Sequence, residues 1–242
     1  MTLRGRVNEL LRPALRAAGV ELTRYRSTLE GSRAAVLRDA RVDVVVDGGA
    51  NVGDYAAALR KAGFAGRIVS FEPLPEVFPT LERRAAGDAA WQCLPYALGD
   101  EDGTVAMTVA GNAVSSSLLA ISDSHVDAVP DSRAVGTADV IVRRLDTVVP
   151  EVVGDGGRLA LKLDVQGYED PALAGAEGIL DRVVVAEVEL STKPLYEGQT
   201  LAPRVMSRLY EHGFELVNLQ KGMHGGDGRV LQFDGLFVKA GT

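Results

Sequence analysis

One cysteine, Cys93, occurs in 242 residues, which excludes an intrachain disulfide and any metal site built from several thiolates. Set between Gln92 and Leu94, it reads as a buried strand thiol. No apolar stretch approaches the roughly 18 residues that cross a bilayer, and the first residues hold no secretory apolar region with a cleavage site. The expectation is no membrane span and a cytoplasmic location. Positive charge is also short: 26 Lys and Arg against 33 Asp and Glu leave a net charge of −7, with the basic residues scattered. Phosphate contacts need grouped cations, so no nucleic-acid partner is expected. The length suits one sizeable core and is short for two.

What the sequence does have is an alternation of apolar runs with amphipathic stretches, the pattern of a mostly parallel sheet covered on both faces. This predicts an α/β, doubly wound, seven-stranded sheet. Strands are expected at residues 42–47, 67–72, 91–98, 158–164, 183–190, 215–219 and 232–239, and helices at 54–62, 76–86, 171–180 and 202–212. Only a glycine-rich loop, residues 222–228, joins the last two strands, so they should pair antiparallel. Residues 1–40 read as an N-terminal helical extension, with Leu3, Val7, Leu10, Leu11 and Leu15 on one face and Pro13 interrupting it. Such a face packs on the domain or on a partner, which leaves a homo-oligomer open. Residues 41–242 form the domain proper. Within it, residues 100–155 are an insertion rich in Ser, Asp and Gly, read as a lid or a mobile surface segment. A strand at 104–109 and weakly structured chain as far as Asp139 are expected there.

The first strand ends at Asp47-Gly48-Gly49-Ala50-Asn51-Val52-Gly53. A buried strand that stops at an acid and turns through glycines into a helix presents a ligand site in a doubly wound sheet. A dinucleotide fingerprint needs G-x-G-x-x-G, and its second glycine is missing: read from Gly48 it is Ala50, and from Gly49 it is Asn51. The turn instead suits a ligand with an ammonium and ribose hydroxyls, both present in S-adenosylmethionine. Glu72, at the end of the second strand, can accept from both ribose hydroxyls. Lys162 and Asp164 share one strand face by the two-residue period, and buried strands rarely carry either without a partner. The carboxyl end of the sheet is where ligands bind, so both point to the site, Lys162 as a catalytic candidate beside Asp164, with a structural Lys-carboxylate pair as the plainer alternative.

Several marks together resemble the FkbM family of S-adenosylmethionine-dependent methyltransferases. They are residues 46–53; Phe71-Glu72-Pro73; Ala97-Leu98-Gly99-Asp100 with Gly103; Ser116-Ser117-Leu118; residues 161–169; Glu189-Leu190 with residues 194–198; and Asp234-Gly235-Leu236-Phe237-Val238. Gln166 departs from the pattern, which more often has Glu there. The resemblance implies a class I, Rossmann-like methyltransferase fold, acting on a small-molecule acceptor through a hydroxyl of a sugar, glycolipid or other secondary metabolite. It further implies that residues 47–53, Asp47, Gly48, Gly49, Asn51 and Gly53 among them, cradle the methionine portion. Glu72 would take the ribose, and the region of Tyr96, Ala97 and Leu98 the adenine. Ser116 and Tyr196 become substrate-side candidates.

A hydroxyl has a pKa on the order of 15–16, so some group must take its proton. The candidates are Asp164, Glu189 and His224; a divalent metal on Asp164 and Glu189 is the alternative. Glu187 shares a strand face with Glu189 but lies farther from the carboxyl end. His212 reads as a helix-end cap and His125 as a solvated loop residue. An N-methyltransferase and a non-catalytic S-adenosylmethionine-binding protein are the rival readings.

Overall fold

The computed structural model describes residues 29–242 together with Leu15 and Ala17, so all but those two residues of the helix expected over residues 3–18 lie outside the described residues. Along the chain run α1 (Leu29–Asp39), β1 (Val44–Gly48), α2 (Asp54–Lys61), β2 (Arg67–Phe71), α3 (Phe78–Ala85), β3 (Trp91–Leu94), β4 (Tyr96–Leu98) and β5 (Gly103–Ala110). Then come α4 (Asp123–Ala128), β6 (Ala134–Arg143), α5 (Leu145–Val153), β7 (Leu159–Leu163), α6 (Glu169–Ala174), β8 (Val183–Ser191), α7 (Ala202–Glu211), β9 (Phe214–Lys221) and β10 (Gln232–Lys239). Seven strands form one sheet in the order β3-β2-β1-β7-β8-β10-β9. The first five are parallel, and β10 runs antiparallel to both β8 and β9, as the short glycine-rich connection requires.

The central strands are apolar on both faces because helices cover both. By the two-residue period, Val44, Val46, Val69, Phe71, Leu161 and Leu163 face one way and pack with Val148 of α5, Leu173 of α6 and Leu209 of α7. Val45, Ile68, Ala160 and Val185 face the other way, against Leu37 of α1, Leu59 of α2 and Leu81 of α3.

Three expectations need correction. The strand expected over residues 91–98 is two strands: β3 pairs with β2 in the large sheet, and β4 pairs with β6 in a second sheet ordered β4-β6-β5. Pro95 sits at the break; without an N–H it cannot continue the ladder, and the chain leaves the sheet there. The stretch expected to be weakly structured as far as Asp139 carries α4 and much of β6, a ten-residue strand paired antiparallel with β5. Alternation along β6 is diluted by small and polar residues, Gly136, Thr137 and Asp139, so its pattern is faint in sequence. The second sheet has its own small core of Leu74, Ala97, Met107, Val140 and Val142. The helix expected over residues 171–180 is α6 followed by a short 3-10 turn, Glu177–Ile179.

Candidate active site

The turn after β1 is shaped by contact with the neighbouring strand end. Gly49 adopts φ 75°, and a Cβ on it would fall 1.8 Å from the Asp164 carbonyl oxygen, so glycine alone lets the two chains meet. Gly53, with φ 86°, starts α2, and its missing Cβ leaves room for Trp91 and Leu81. Asn51 is also left-handed, at φ 48°, a conformation asparagine tolerates better than most residues. The turn's amides reach Glu72: Asn51 N–H donates to Oε2 at 2.9 Å, and Leu74 N–H donates to Oε1 at 2.9 Å. Each carboxylate oxygen keeps a lone pair free for a ligand hydroxyl. Burial pushes the Glu72 pKa up, against the pull of those two amides and of Lys162.

Asp47 and Lys162 lie side by side in register on β1 and β7. Asp47 is fully buried; its Oδ2 accepts from Ser70 at 2.9 Å, and Lys162 Nζ stands 3.4 Å from Oδ1. The Lys162 ammonium also donates to the Gly49 carbonyl at 2.8 Å and lies 3.7 Å from Asp164 Oδ2. Burial works against this charge, but Asp164 and Asp47 outweigh it and hold the Lys162 pKa above the ordinary lysine value. Lys162 thus ties the glycine turn to the sheet from beneath.

A cleft of about 740 Å³, counting its open mouth, lies at the carboxyl ends of β1, β2 and β7. One wall holds Gly49, Asn51, Glu72 and Asp164 at the strand ends of the large sheet; the other comes from the second sheet and its loops, with Ala97 and Leu98 of β4, Met107, Val114, Ser116 and Leu118, and Tyr168 and Gln166 also reach it. The structure thereby gathers Gly49, Asn51, Glu72, Ala97, Leu98, Ser116 and Asp164 into one cavity. Asp47, Gly48, Gly53 and Lys162 stand behind it as its frame. Met107, Val114 and Tyr168 were not singled out from sequence. Tyr168 lay within a quoted motif, whereas Met107 and Val114 carried no signal without knowledge of the second sheet.

Glu189 stands next to this cleft: its Oε2 accepts from Gln166 Nε2 at 3.0 Å and from Gln232 Nε2 at 2.9 Å. Burial, then Asp164, Glu169 and Asp234, push its pKa well up. Glu187, one alternation back, is committed elsewhere, paired with Arg33 of α1 and accepting from the Tyr55 hydroxyl at 3.1 Å. Tyr196 is fully buried, with its hydroxyl 2.6 Å from Gln166 Oε1, so it touches the cleft only through Gln166. Ser116 accepts from the Ala110 N–H at 3.0 Å. His224 bridges to Val230 in the loop between β9 and β10 and does not line the cleft. His125, expected in solvent, is instead fully buried on α4, edge-on to Tyr196 with ring centroids 5.0 Å apart, and burial lowers its pKa. It is covered because Ser122 caps α4 and also donates to the Leu195 carbonyl, docking the helix on that loop. His212 caps the end of α7 as expected, and Cys93 is a half-buried thiol on β3 whose pKa burial raises to about 11.

Five parallel strands closed by an antiparallel pair, with a glycine turn after the first strand and an acid after the second, define the class I methyltransferase fold. The pattern of the methyltransferase FkbM domain matches residues 47–216, and the chain belongs to this family of S-adenosylmethionine-dependent enzymes. It is 28% identical over 201 residues to methyltransferase sdnD of Sordaria araneosa, covering 72% of this chain and 74% of that one. It is also 28% identical over 159 residues to methyltransferase 1 of Beauveria bassiana (strain ARSEF 2860), a match spanning 58% of this chain and 63% of that protein's length. The structure of magnesium protoporphyrin IX methyltransferase from Synechocystis PCC 6803, with bound S-adenosylmethionine, is similar over 96% of this chain and 97% of that one, at 11% identity and TM-score 0.48. No helix among the described residues is long and apolar enough to cross a membrane.

Proposed function

We propose that the protein transfers a methyl group from S-adenosylmethionine to a hydroxyl of a small acceptor, a sugar, glycolipid or related secondary metabolite, with Asp164 as the base. The observation that carries this reading is that one continuous cleft holds both Glu72, with free acceptor lone pairs, and the partly exposed carboxylate of Asp164. The residues fit the donor. Gly49 keeps the turn open where a side chain would strike Asp164, and Ala97 and Leu98 offer an apolar slot beside Glu72. When bound, S-adenosylmethionine supplies an electrophilic methyl on a sulfonium.

The chain's own work is alignment and proton transfer. Asn51 N–H and Leu74 N–H fix the Glu72 carboxylate to receive ribose hydroxyls, and Lys162 fixes the turn that flanks it. Holding two reactants in line substitutes for the entropy cost of their encounter. Asp164 then takes the acceptor's hydroxyl proton as the oxygen attacks. Met107, Val114, Leu118 and Tyr168 give the far side of the cleft an apolar lining, suited to an acceptor whose skeleton is only partly polar.

Calorimetric titration with S-adenosylmethionine tests the donor site: the wild type binds, and Glu72→Ala weakens binding by about tenfold or more, the cost of losing hydrogen bonds to a charged acceptor. Absence of binding to the wild type overturns the reading. Candidate acceptors are screened by release of S-adenosylhomocysteine. On an acceptor so found, Asp164→Asn, still folded and still binding donor, loses about a hundredfold or more in turnover. Full turnover in that variant removes Asp164 as the base.

A further inference from the structure

Gln166 follows β7 in a turn where its own φ is 55°, a left-handed conformation that a residue with a Cβ adopts at a cost. Its side chain occupies a position where every polar atom is engaged. Nε2 lies 2.7 Å from Asp164 Oδ1 and 3.0 Å from Glu189 Oε2, so both amide N–H bonds are directed at carboxylates. Oε1 accepts from the buried Tyr196 hydroxyl at 2.6 Å.

The orientation of this amide follows from the chemistry of its neighbours. Ionised carboxylates only accept, and a phenol has one proton to give. Turning the amide over would set Oε1 against two carboxylates and leave the Tyr196 hydroxyl facing N–H bonds. Tyr196 can spend its proton on the Ser115 carbonyl, 3.1 Å away, only by giving up the shorter bond to Gln166. The two acids therefore set the amide orientation with its donors toward them, and the Tyr196 hydroxyl supports it by giving its proton to Oε1.

Two carboxylates drawn to one point need something positive between them: a shared proton, a cation or a hydrogen-bond donor. Other acids, Glu169 on α6 and Asp234 on β10, add to the negative field here. The nearest ammonium, Lys162, sits toward the other oxygen of Asp164, 3.7 Å from Oδ2. Gln166 Nε2 donates to both Asp164 Oδ1 and Glu189 Oε2, whereas Gln232 Nε2, 2.9 Å from Glu189 Oε2, bonds only the latter of the two acids.

We propose that Gln166 is a positioning residue for methyl transfer: its amide is a neutral bridge between Asp164 and Glu189, standing where a proton or a divalent cation would otherwise have to sit, and it holds Asp164 toward the cleft as a free carboxylate. This rests on the reading of Asp164 as the base, and the magnesium and amide-exchange measurements that test it need no acceptor.

Replacing Gln166 by Glu removes both donors and brings a third carboxylate to the same point, which is the oxygen-rich donor set that hard divalent cations prefer. Calorimetric titration with magnesium chloride is therefore expected to show binding to Gln166→Glu with a dissociation constant of about 1 mM or tighter. The wild type should bind at least about tenfold more weakly, because its bridge is already filled. Equal binding by the two proteins, or a folded Gln166→Glu that takes up no magnesium, overturns the proposal. A second measurement reads the bridge directly. In nitrogen-15 NMR spectra the two side-chain amide protons of Gln166 should exchange with solvent about a hundredfold more slowly than those of an exposed glutamine. Tyr196→Phe, which leaves Gln166 in place, should return that exchange about tenfold toward the exposed rate. Unprotected Gln166 protons in the wild type would contradict the bridge. Loss of turnover in Asp164→Asn with magnesium bound equally by wild type and Gln166→Glu would sink the bridge and leave the base standing.

Discussion

Glu169 shows how far a single side chain's surroundings can move its chemistry. It is almost fully buried on α6, and its Oε1 accepts the N–H groups of Val165 at 3.0 Å and Gly167 at 3.1 Å, closing the turn that carries Gln166. Burial, opposed by these amides and reinforced by Asp164, pushes its pKa up to about 7. The folded state therefore holds this proton more tightly than the unfolded chain does. The stabilisation is fully present below the unfolded carboxyl pKa and is lost as pH rises through about 7. Glu169→Gln keeps an oxygen for both amides and carries no charge. Its melting temperature should exceed that of the wild type at about pH 8 by about 3 °C or more, with a smaller difference at about pH 5; a pH-independent difference would show that Glu169 is ionised throughout. At this scale the sequence was informative where a residue's neighbours in the chain decide its role. Glu72 and Asp164 end strands, and strand ends in such sheets meet ligands. It was silent where the neighbours are remote: His125 reads as polar and exposed until α4 is seen lying on Tyr196.

At the scale of elements, the tie between β1 and β7 is the structural decision behind the site. Their register sets Asp47 opposite Lys162, and the ammonium reaches on to the Gly49 carbonyl. Lys162→Met leaves Asp47 a fully buried carboxylate with one hydroxyl donor, Ser70. Removing one partner of a buried pair costs about 3–5 kcal/mol, so urea unfolding should show a loss of that order together with weaker S-adenosylmethionine binding. A loss under about 1 kcal/mol would mean that water already shares this pair. The two-residue period in sequence put Lys162 and Asp164 on one face but could not choose between a catalytic lysine and a structural one. That choice depends on what stands on the adjacent strand. Boundaries failed for a related reason at residues 91–98, where apolar content continues while Pro95 ends the ladder and passes the chain to another sheet.

For the whole molecule, the cleft has walls from two sheets, and a ligand that fills it joins them. Binding to the folded state alone stabilises it by about 2.7 kcal/mol when free ligand is about a hundredfold above its dissociation constant. Saturating S-adenosylmethionine should therefore raise the melting temperature by about 5 °C or more, and hydrogen exchange should slow both at residues 72–74 and at residues 113–118. Slowing at the first segment alone would show that the second sheet does not take part in donor binding. The buried pair of Arg33 with Glu187, joined by the Tyr55 hydroxyl, fastens α1 and α2 to the same sheet face that carries Asp47 and Lys162. By itself the sequence determined the sheet, the antiparallel closure, the glycine turn and the family, because these rest on local rules: strand periodicity, helix ends, connection length and the backbone freedom of glycine. Only the tertiary structure decided what lies between Asp164 and Glu189, what holds Lys162, and that residues 96–143 build a second sheet against the cleft. Those are contacts between residues tens of positions apart, and their energies depend on burial and on partner geometry that no local pattern encodes.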